Sequence, residues 1–146
     1  MKIGVLSDTH GVLYEEVEEQ LRGCDVILHA GDFDRPAILE RLRAIAKVIA
    51  VRGNCDWDLT EDLPDLQEFT LGGKRIVMAH KPYDPPRNLR KYDLAICGHT
   101  HRYAEAMEEG TLLLNPGSVS RPRGGGPTMA IITIENREIR IKRIDI

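Results

Sequence analysis

Short apolar runs alternate with amphipathic segments through the first 51 residues of this chain, and the alternation limits the folds open to it. The runs at residues 2–7, 26–30 and 47–51 are rich in aliphatic side chains and end abruptly, which is typical of buried strands. Between them, two segments repeat apolar residues at helical spacing. An order of strand, helix, strand, helix, strand requires parallel pairing with helical crossovers. The first third of the sequence therefore predicts an α/β fold.

The remainder of the chain is richer in strands than in helices. Residues 66–71 and 74–79 flank a Gly72-Gly73 pair and predict a β-hairpin, because two-residue turns favour residues with positive φ. Further strands are predicted at residues 94–97, 103–107, 111–114, 128–134 and 138–144, a short helical turn at 88–91, and loops at 81–86 and 115–127. These elements suffice for two packed β-sheets flanked by helices in one domain over residues 1–146.

Composition and charge argue against several classes of protein. A formal net charge of -3 provides no strong field for nucleic acid or an anionic membrane. Cys24, Cys55 and Cys97 lie far apart and form no C-x-x-C pair, which argues against a disulfide framework and a thiolate metal cage. No apolar stretch approaches the roughly 20 residues of a membrane span. We therefore expect an unprocessed protein in the reducing cytoplasm.

Polar side chains follow five of the predicted strands at the point where each strand ends. They are Asp8, Asp32, Asn54, His80 and His99. Because ligands bind outside the carboxyl ends of the strands in open α/β sheets, these residues are expected to converge on one site. Asp32, Asn54 and His99 each follow a glycine, which permits a sharp turn and close backbone approach. His10 and His101 lie two residues beyond Asp8 and His99, and residues two apart in an extended segment point to the same side.

These seven residues supply more oxygen and nitrogen donors than one tetrahedral zinc ion requires, but they suit two divalent ions that share a carboxylate. Two such ions outweigh two carboxylates and a bridging hydroxide, so the centre keeps a net positive charge. The ions would lower the pKa of a bound water molecule from roughly 16 towards roughly 7 and stabilise charge on phosphoryl oxygens. The site is therefore expected to attract and hydrolyse phosphate esters.

The candidate residues belong to motifs that occur in a fixed order between residues 8 and 118. The motifs are Asp8-Thr9-His10, Gly31-Asp32, Gly53-Asn54-Cys55-Asp56, His80, Gly98-His99-Thr100-His101 and Asn115-Pro116-Gly117-Ser118. This ordered series resembles the calcineurin-like metallophosphoesterase superfamily, especially its small bacterial and archaeal phosphodiesterase branch. The resemblance implies a four-layer α/β/β/α sandwich of two mixed β-sheets flanked by helices.

The resemblance also implies how the ligands divide between the two metal ions. One ion is held by Asp8, His10 and His101, the other by Asn54, His80 and His99, and Asp32 bridges both. Members of the superfamily accept manganese, nickel, iron or zinc, and manganese is the cofactor expected here. The implied activity is hydrolysis of phosphate esters, preferably phosphodiesters, by in-line attack of a metal-bridging hydroxide.

Two positions depart from the pattern of the superfamily. Many members have a histidine after the motif asparagine, where it donates a proton to the leaving group, whereas this chain has Cys55. Its thiol is the candidate catalytic proton donor, and a metal-bound water molecule is the alternative. Many members have glycine after the motif histidine, whereas this chain has Lys81, which either crowds the second metal position or binds a substrate phosphate.

Other residues near the motifs have a functional and a structural interpretation. His29 is expected in the core or in a supporting layer rather than as a ligand. Asp56 either orients a neighbouring group or forms the turn, and residues 115–118 either brace the metal site or form a simple turn. Arg121 and Arg123 either clamp a phosphate oxygen or are solvated surface groups.

Two other functions fit parts of the sequence. A scaffold or binding module with this fold is exemplified by a subunit of the retromer coat, but that subunit lacks the histidine of the Asp-x-His motif, whereas His10 is present here. A nuclease is disfavoured by the short chain and by the lack of a basic groove signal. We expect the protein to bind a small phosphate ester as its substrate, without membrane association or strong nucleic-acid binding. The sequence leaves open whether the chain forms a homodimer.

Overall fold

The computed structural model of the chain describes residues 1–59 and 61–146. In chain order the elements are β1 (Lys2–Leu6), α1 (Glu15–Leu21), β2 (Val26–His29), α2 (Pro36–Arg43), β3 (Lys47–Ala50), β4 (Leu66–Leu71), β5 (Lys74–Ala79), β6 (Leu94–Ile96), β7 (Tyr103–Glu108), β8 (Thr111–Pro116), β9 (Thr128–Glu135) and β10 (Glu138–Asp145). Among the described residues, no helix has the length and apolar character needed to cross a membrane.

The strands form two mixed sheets of five strands each, as the sequence predicted. The first sheet has the order β10-β9-β1-β2-β3, with β1, β2 and β3 parallel. The second has the order β4-β5-β6-β8-β7, with β5, β6 and β8 parallel and the outer strands antiparallel to their neighbours. The candidate ligands lie in the loops that follow β1, β2 and β3 of the first sheet and β5 and β6 of the second.

The main apolar core lies between the two sheets. Ile3, Val5 and Leu28 of the first sheet share one buried cluster with Ile76 and Met78 of the second. This arrangement follows from alternation, because successive side chains of a strand point to opposite faces. Packing both sheets on a shared apolar layer holds their loops at a fixed separation.

The two helices cover the other face of the first sheet. Leu6 and Ile27 point to this face and pack in one cluster with Val17 and Leu21 of α1 and Leu42 of α2. Ile45, expected as the end of the apolar stripe of α2, lies two residues beyond the helix and packs as a partly buried residue against the same cluster.

An irregular segment around residues 89–92, with no helix, covers the outer face of the second sheet. Val77 and Ala95 pack there with Tyr92 and Leu89. At residues 88–91, where a short helical turn was predicted, the structure has one hydrogen-bonded turn and no helix; the Tyr92 N–H donates to the Leu89 carbonyl at 2.9 Å. The Asn88 side chain accepts a hydrogen bond from the Arg90 N–H at 3.2 Å, and such a bond competes with helix formation.

The predicted hairpin is confirmed in detail. β4 and β5 pair antiparallel with Leu71 opposite Lys74, which leaves Gly72 and Gly73 as a two-residue turn. Their φ values are 56° and 78°, the left-handed conformations that this turn requires.

Candidate metal centre

The structure brings all seven predicted ligands to the same end of the two sheets. The Nε2 atom of His101 lies 3.1 Å from Asp8 Oδ1 and 3.2 Å from His10 Nε2. Asp32 Oδ2 lies 3.7 Å from His10 Nε2 and 3.2 Å from His80 Nε2, so this carboxylate stands between two groups of histidines. This intermediate position is the one that a bridging carboxylate needs.

The remaining two candidates adjoin the His80 side of the centre. The His99 ring lies 5.2 Å from the His80 ring, measured between centroids, and meets it edge to face. His99 Nδ1 lies 3.1 Å from Asn54 Oδ1. The structure therefore places His10 and His101 at one end and Asn54, His80 and His99 at the other. Asp8 Oδ1 lies 3.1 Å from His101 Nε2 and 3.9 Å from His80 Nε2, closer to the first group.

Three of the histidines hold their second ring nitrogen in a hydrogen bond outside the centre. His80 Nδ1 lies 2.7 Å from the Ala30 carbonyl, and His101 Nδ1 lies 2.7 Å from the Arg121 carbonyl. A carbonyl oxygen only accepts, so both Nδ1 atoms carry the proton and the Nε2 lone pairs point into the centre. His10 Nδ1 likewise lies 3.0 Å from the Asp34 carboxylate. This outer hydrogen bond is the arrangement that orients histidines as metal ligands.

Two buried polar atoms of the centre make no hydrogen bond of acceptable geometry among the described residues, although each has a side chain that can carry the opposite charge 3.1 to 3.2 Å away. They are Asp8 Oδ1 and His80 Nε2. A buried polar atom without a partner costs about 1–3 kcal/mol, so such atoms are rare in folded proteins. Both atoms face the middle of the cluster, where a cation would satisfy them. The donor set of carboxylates, imidazoles and one amide also fits divalent transition metals.

The backbone of the candidate ligands is strained. Five of them have positive φ values, namely Asp8 (54°), His10 (47°), Asp32 (64°), His99 (71°) and His101 (60°). Residues other than glycine rarely adopt this conformation, and it persists where surrounding contacts enforce it, often at functional sites.

Glycines let the loops approach each other closely. A Cβ atom on Gly53 would lie 2.1 Å from Asp32 Oδ1, and one on Gly98 would lie 2.6 Å from Asp8 Oδ2. Any side chain at either position would therefore push a carboxylate of the centre out of place.

Asp56 fastens two of the loops together. Its carboxylate accepts hydrogen bonds from four backbone N–H groups, at 2.7 to 3.1 Å. These donors belong to Asp32, Phe33, Asp34 and Gly53. The orienting role considered for Asp56 therefore has a structural basis, since this residue fixes the backbone on both sides of Asp32.

Residues 115–118 brace the loops that carry the histidines and Asp8. Asn115 Nδ2 donates to the Gly98 carbonyl at 2.9 Å, and Ser118 Oγ donates to the Asp8 carbonyl at 2.7 Å. Of the two interpretations of this segment, the structure therefore favours the bracing role. Asp34, the partner of His10 Nδ1, was not predicted as a functional residue, and its only sequence signal is its position two residues after Asp32.

Ionic contacts control the pKa values of the two carboxylates. Burial raises the pKa of Asp8, but His10 and other neighbours outweigh this effect, and the pKa is lowered. Burial also raises the pKa of Asp32, but contact with His80 and the Cys55 N–H brings it down to about 2. Both groups are therefore ionised at neutral pH, which is the state that binds cations.

The carboxylate charges raise the pKa values of the neighbouring histidines His10 and His80. Contact with the Asp8 carboxylate raises the pKa of His10. Burial lowers the pKa of His80, but the neighbouring Asp32 and Asp8 charges reverse this effect and leave it raised. Anionic surroundings that stabilise a proton on these rings would also stabilise a metal cation.

His29 lies beneath the centre and is fully buried. Its Nδ1 accepts a hydrogen bond from the Gly31 N–H at 3.0 Å, so the proton is on Nε2, which lies 3.1 Å from Thr9 Oγ1. The ring stacks on Phe33 with centroids 3.6 Å apart. His29 thus occupies the supporting layer, as expected, and its burial lowers its pKa to about 3.

Cys55 stands at the rim of the centre. Ligand atoms of Cys55, His10 and Asp32 all lie within 4.8 Å of one another. The thiol also accepts a hydrogen bond from Asn54 Nδ2 at 3.3 Å. Burial and then the Asp32 charge raise its pKa to about 11, so the thiol keeps its proton at neutral pH.

Two cavities open on either side of Asn54. One, of about 450 Å³, is lined by His80 together with Arg52 and Lys81. The other, of about 460 Å³, is lined by Cys55, His10 and His101 together with the Arg121–Arg123 segment; its remaining lining residues are Asp32, Asn54, His99 and Pro122. The first cavity also contains the acidic Asp65 and Asp84, which balance its two basic side chains. In the second cavity, Arg121 and Arg123 face only one carboxylate, that of Asp32, and this surplus of basic groups suits an anionic substrate.

The sequence of the chain matches a known family along nearly its whole length. A family model described as the calcineurin-like phosphoesterase superfamily domain matches residues 1–137. The chain belongs to this superfamily, which confirms the resemblance seen in its motifs.

Relatives with assigned names carry related activities. A probable metallophosphoesterase of Methanothermobacter thermautotrophicus is 32% identical, over 95% of this chain and 89% of its own length. Phosphodiesterase YfcE of Escherichia coli is 37% identical, over 62% of this chain and 54% of its own length.

Solved structures share the fold. The phosphoesterase YfcE of E. coli superposes with a TM-score of 0.76 at 29% identity, covering 100% of both chains. An archaeal phosphodiesterase gives 0.82 at 24% identity, covering 99% of this chain and 100% of its own. Vps29 of Entamoeba histolytica, solved with zinc, gives 0.78 at 20% identity, covering 99% of each chain. The last two likenesses show the fold alone.

Proposed function

We propose that the chain hydrolyses phosphate esters, preferably phosphodiesters, with two divalent metal ions. Asp8, His10 and His101 would hold one ion, Asn54, His80 and His99 would hold the other, and Asp32 would be shared between them. When bound, two divalent ions supply an activated water molecule near neutral pH and neutralise charge on the phosphoryl oxygens. Manganese is the proposed metal, and nickel, iron and zinc also suit these ligands. The three cysteines are free thiols, which supports a reducing compartment such as the cytoplasm.

One observation carries this proposal. The outer hydrogen bonds of His10, His80 and His101 aim three Nε2 atoms at the same space as the buried Asp8 Oδ1, and two of these atoms make no hydrogen bond of acceptable geometry among the described residues. A cluster built only for stability would pair its buried polar atoms internally. The names of the bacterial and archaeal relatives support the same reaction class.

The protein's own residues would orient the ester. Arg52 and Lys81 line one flanking cavity, and Arg121 and Arg123 line the other, so the two arms of a diester can lie on opposite sides of Asn54. Charge-assisted hydrogen bonds from these groups would hold the phosphate in position. A monoester has one arm and would use only one of the cavities, which favours diesters.

The test is metal-dependent hydrolysis of bis-p-nitrophenyl phosphate and p-nitrophenyl phosphate by the purified protein. Mn²⁺, Ni²⁺, Fe²⁺ and Zn²⁺ are added separately, beside Asp8→Asn and His10→Asn variants and an Asp62→Asn control at an exposed position. We expect activity in the wild type and the control, a loss of at least about 100-fold in the two ligand variants, and a higher rate on the diester. A wild type as inert as Asp8→Asn with every metal would leave the scaffold function of the Vps29-like fold as the better account.

Cys55 is the proposed proton donor for the leaving group. Its protonated thiol lies near Asp32 and lines the cavity that also contains Arg121 and Arg123. Because general-acid catalysis matters most for poor leaving groups, Cys55→Ala should slow phenyl diesters by about 10- to 100-fold and p-nitrophenyl diesters much less. Cys97→Ala is the control. Equal losses on both esters would show that the thiol has another role.

A further inference from the structure

We propose that a third cavity, next to the two that flank the metal centre, binds an additional phosphate group of the substrate, so that the preferred substrates are phosphodiesters carrying a further phosphate. This inference rests on the proposed hydrolase function. The cavity has a volume of about 300 Å³ and lies between Arg102, Arg123 and Arg143 and the glycine loop, which consists of residues 124–126.

The arginines pack directly against the glycine loop. A Cβ atom on Gly124 would lie 3.2 Å from Arg102 Nη1, and one on Gly125 would lie 3.8 Å from Arg143 Nη2. Both glycines have positive φ, at 88° and 69°. Without side chains, the loop leaves its backbone open to a close approach by a ligand between the guanidinium groups, as phosphate-binding glycine loops do.

In the described part of the chain, two of the three arginine charges in the cavity have no neighbouring carboxylate. Within residues 1–59 and 61–146, no carboxylate lies within 4 Å of the Arg102 or Arg123 guanidinium. Arg143 pairs with Asp145 at 2.9 Å and lies over the Tyr103 ring at 5.1 Å, which fixes its orientation. Guanidinium groups in this arrangement match the geometry of phosphate oxygens, which they bind through paired hydrogen bonds.

Hydrogen bonds tie this cavity to the metal centre. The His101 carbonyl accepts a hydrogen bond from the Arg123 N–H at 3.0 Å, while the ring of His101 donates to the Arg121 carbonyl at 2.7 Å. Arg102 directly follows His101 in the chain. Arg123 lines both this cavity and the cavity that contains Cys55. A substrate with one phosphate at the centre can therefore reach the glycine loop with a second phosphate.

The experiment compares two esters that differ by one phosphate. They are the p-nitrophenyl ester of thymidine 5′-phosphate and the same ester carrying a 3′-phosphate. With the Mn²⁺-loaded wild type, we expect the 3′-phosphate to lower KM by about 10- to 100-fold, the range of one or two charge-assisted hydrogen bonds. Arg102→Gln should abolish this advantage and leave KM for the plain ester unchanged, whereas the control Arg140→Gln should alter neither.

A second variant introduces repulsion. A Cβ atom on Gly126 meets no atom within 4 Å, and its φ is not positive, so Gly126→Glu is expected to fold and to place a carboxylate at the cavity. It should raise KM only for the ester with the 3′-phosphate. Equal KM values for the two esters in the wild type, or an advantage that survives in both variants, would overturn the proposal.

A binding measurement separates this proposal from the proposed function. Calorimetry of thymidine 3′,5′-bisphosphate with metal-free protein should show binding that weakens by about 10-fold in Arg102→Gln. If neither ester is hydrolysed but this difference is found, the hydrolase function fails while the phosphate site stands. If the esters are hydrolysed and the nucleotide binds wild type and Arg102→Gln alike, the hydrolase function stands and the phosphate site fails.

Discussion

At the scale of single residues, the outer partner of each histidine decides how the ring is presented. His80 and His101 use carbonyl oxygens for this purpose, whereas His10 uses the carboxylate of Asp34. A carboxylate holds the tautomer and also makes the imidazole a stronger electron donor. Asp34 is therefore a positioning residue for His10.

Asp34→Asn should weaken the binding of the first metal ion by about 10-fold, and Asp34→Ala by up to about 100-fold, because partners of this kind contribute that much to metal affinity. Calorimetric titration of the metal-free protein with Mn²⁺ measures the effect, and Asp62→Asn at an exposed position is the control. Binding isotherms that overlay those of the wild type would contradict this role.

His29 should make the metal-free protein sensitive to acid. Its folded pKa of about 3 lies below the ordinary histidine value of 6.5, so between these values the unfolded state binds a proton that the folded state does not. The free energy of unfolding should therefore fall as the pH drops below 6.5, by up to about 1.4 kcal/mol per pH unit from this residue.

In His29→Gln this contribution is absent, and the amide can still accept from Gly31 and donate to Thr9. Urea unfolding with chelator between pH 7 and pH 4 should give a shallower pH dependence for the variant than for the wild type. If the two curves run parallel, His29 titrates with an unperturbed pKa.

At the scale of elements, the centre depends on loops that are held at fixed positions after β2 and β3. Asp56 joins these two loops through four backbone hydrogen bonds. The sequence left two roles open for Asp56, orienting a neighbouring group or forming a turn, and the number of its hydrogen-bond partners became visible only in the folded structure.

Asp56→Ala should destabilise the metal-free protein by about 3 kcal/mol or more, because it leaves several buried N–H groups without an acceptor. Asp56→Asn keeps one oxygen acceptor and should lose less. Urea unfolding measures both variants against Asp58→Ala, a control at an exposed position of the same loop. A loss in Asp56→Ala no larger than that of the control would show that solvent replaces the carboxylate.

At the scale of the whole molecule, the candidate centre connects the two sheets. Asp8, His10, Asp32 and Asn54 come from loops of the first sheet, and His80, His99 and His101 come from loops of the second. Ions bound between these loops would act as cross-links in addition to the apolar layer that joins the sheets.

Metal ions should therefore raise the free energy of unfolding, by about 2.7 kcal/mol at a metal concentration 100 times Kd. Thermal unfolding with Mn²⁺ or with chelator measures this shift. Asp8→Asn should show a much smaller response to Mn²⁺ than the wild type does. The same unfolding temperature with Mn²⁺ and with chelator would mean that the loops do not bind the metal in the folded state.

Much of the fold and of the candidate centre could be predicted from the sequence, because the signals are local. An apolar run that ends shortly before Asp8 or His99 predicts both a strand and a polar residue at its end. The Gly72-Gly73 pair between two strands predicts a tight hairpin. The turn predicted at residues 88–91 does not continue into a helix, and the Asn88 side chain there accepts a hydrogen bond from the Arg90 N–H, a bond that competes with helix formation.

By itself, the sequence determined the two-sheet architecture, the superfamily and the set of polar residues at the strand ends. Only the tertiary structure decided which way each ligand atom points and which arginines form one cavity. The physical reason is that these features depend on hydrogen bonds between distant segments, such as the bond between His80 and Ala30, 50 residues apart. The packing of the two sheets determines these hydrogen-bond partners, and no local pattern in the sequence predicts them.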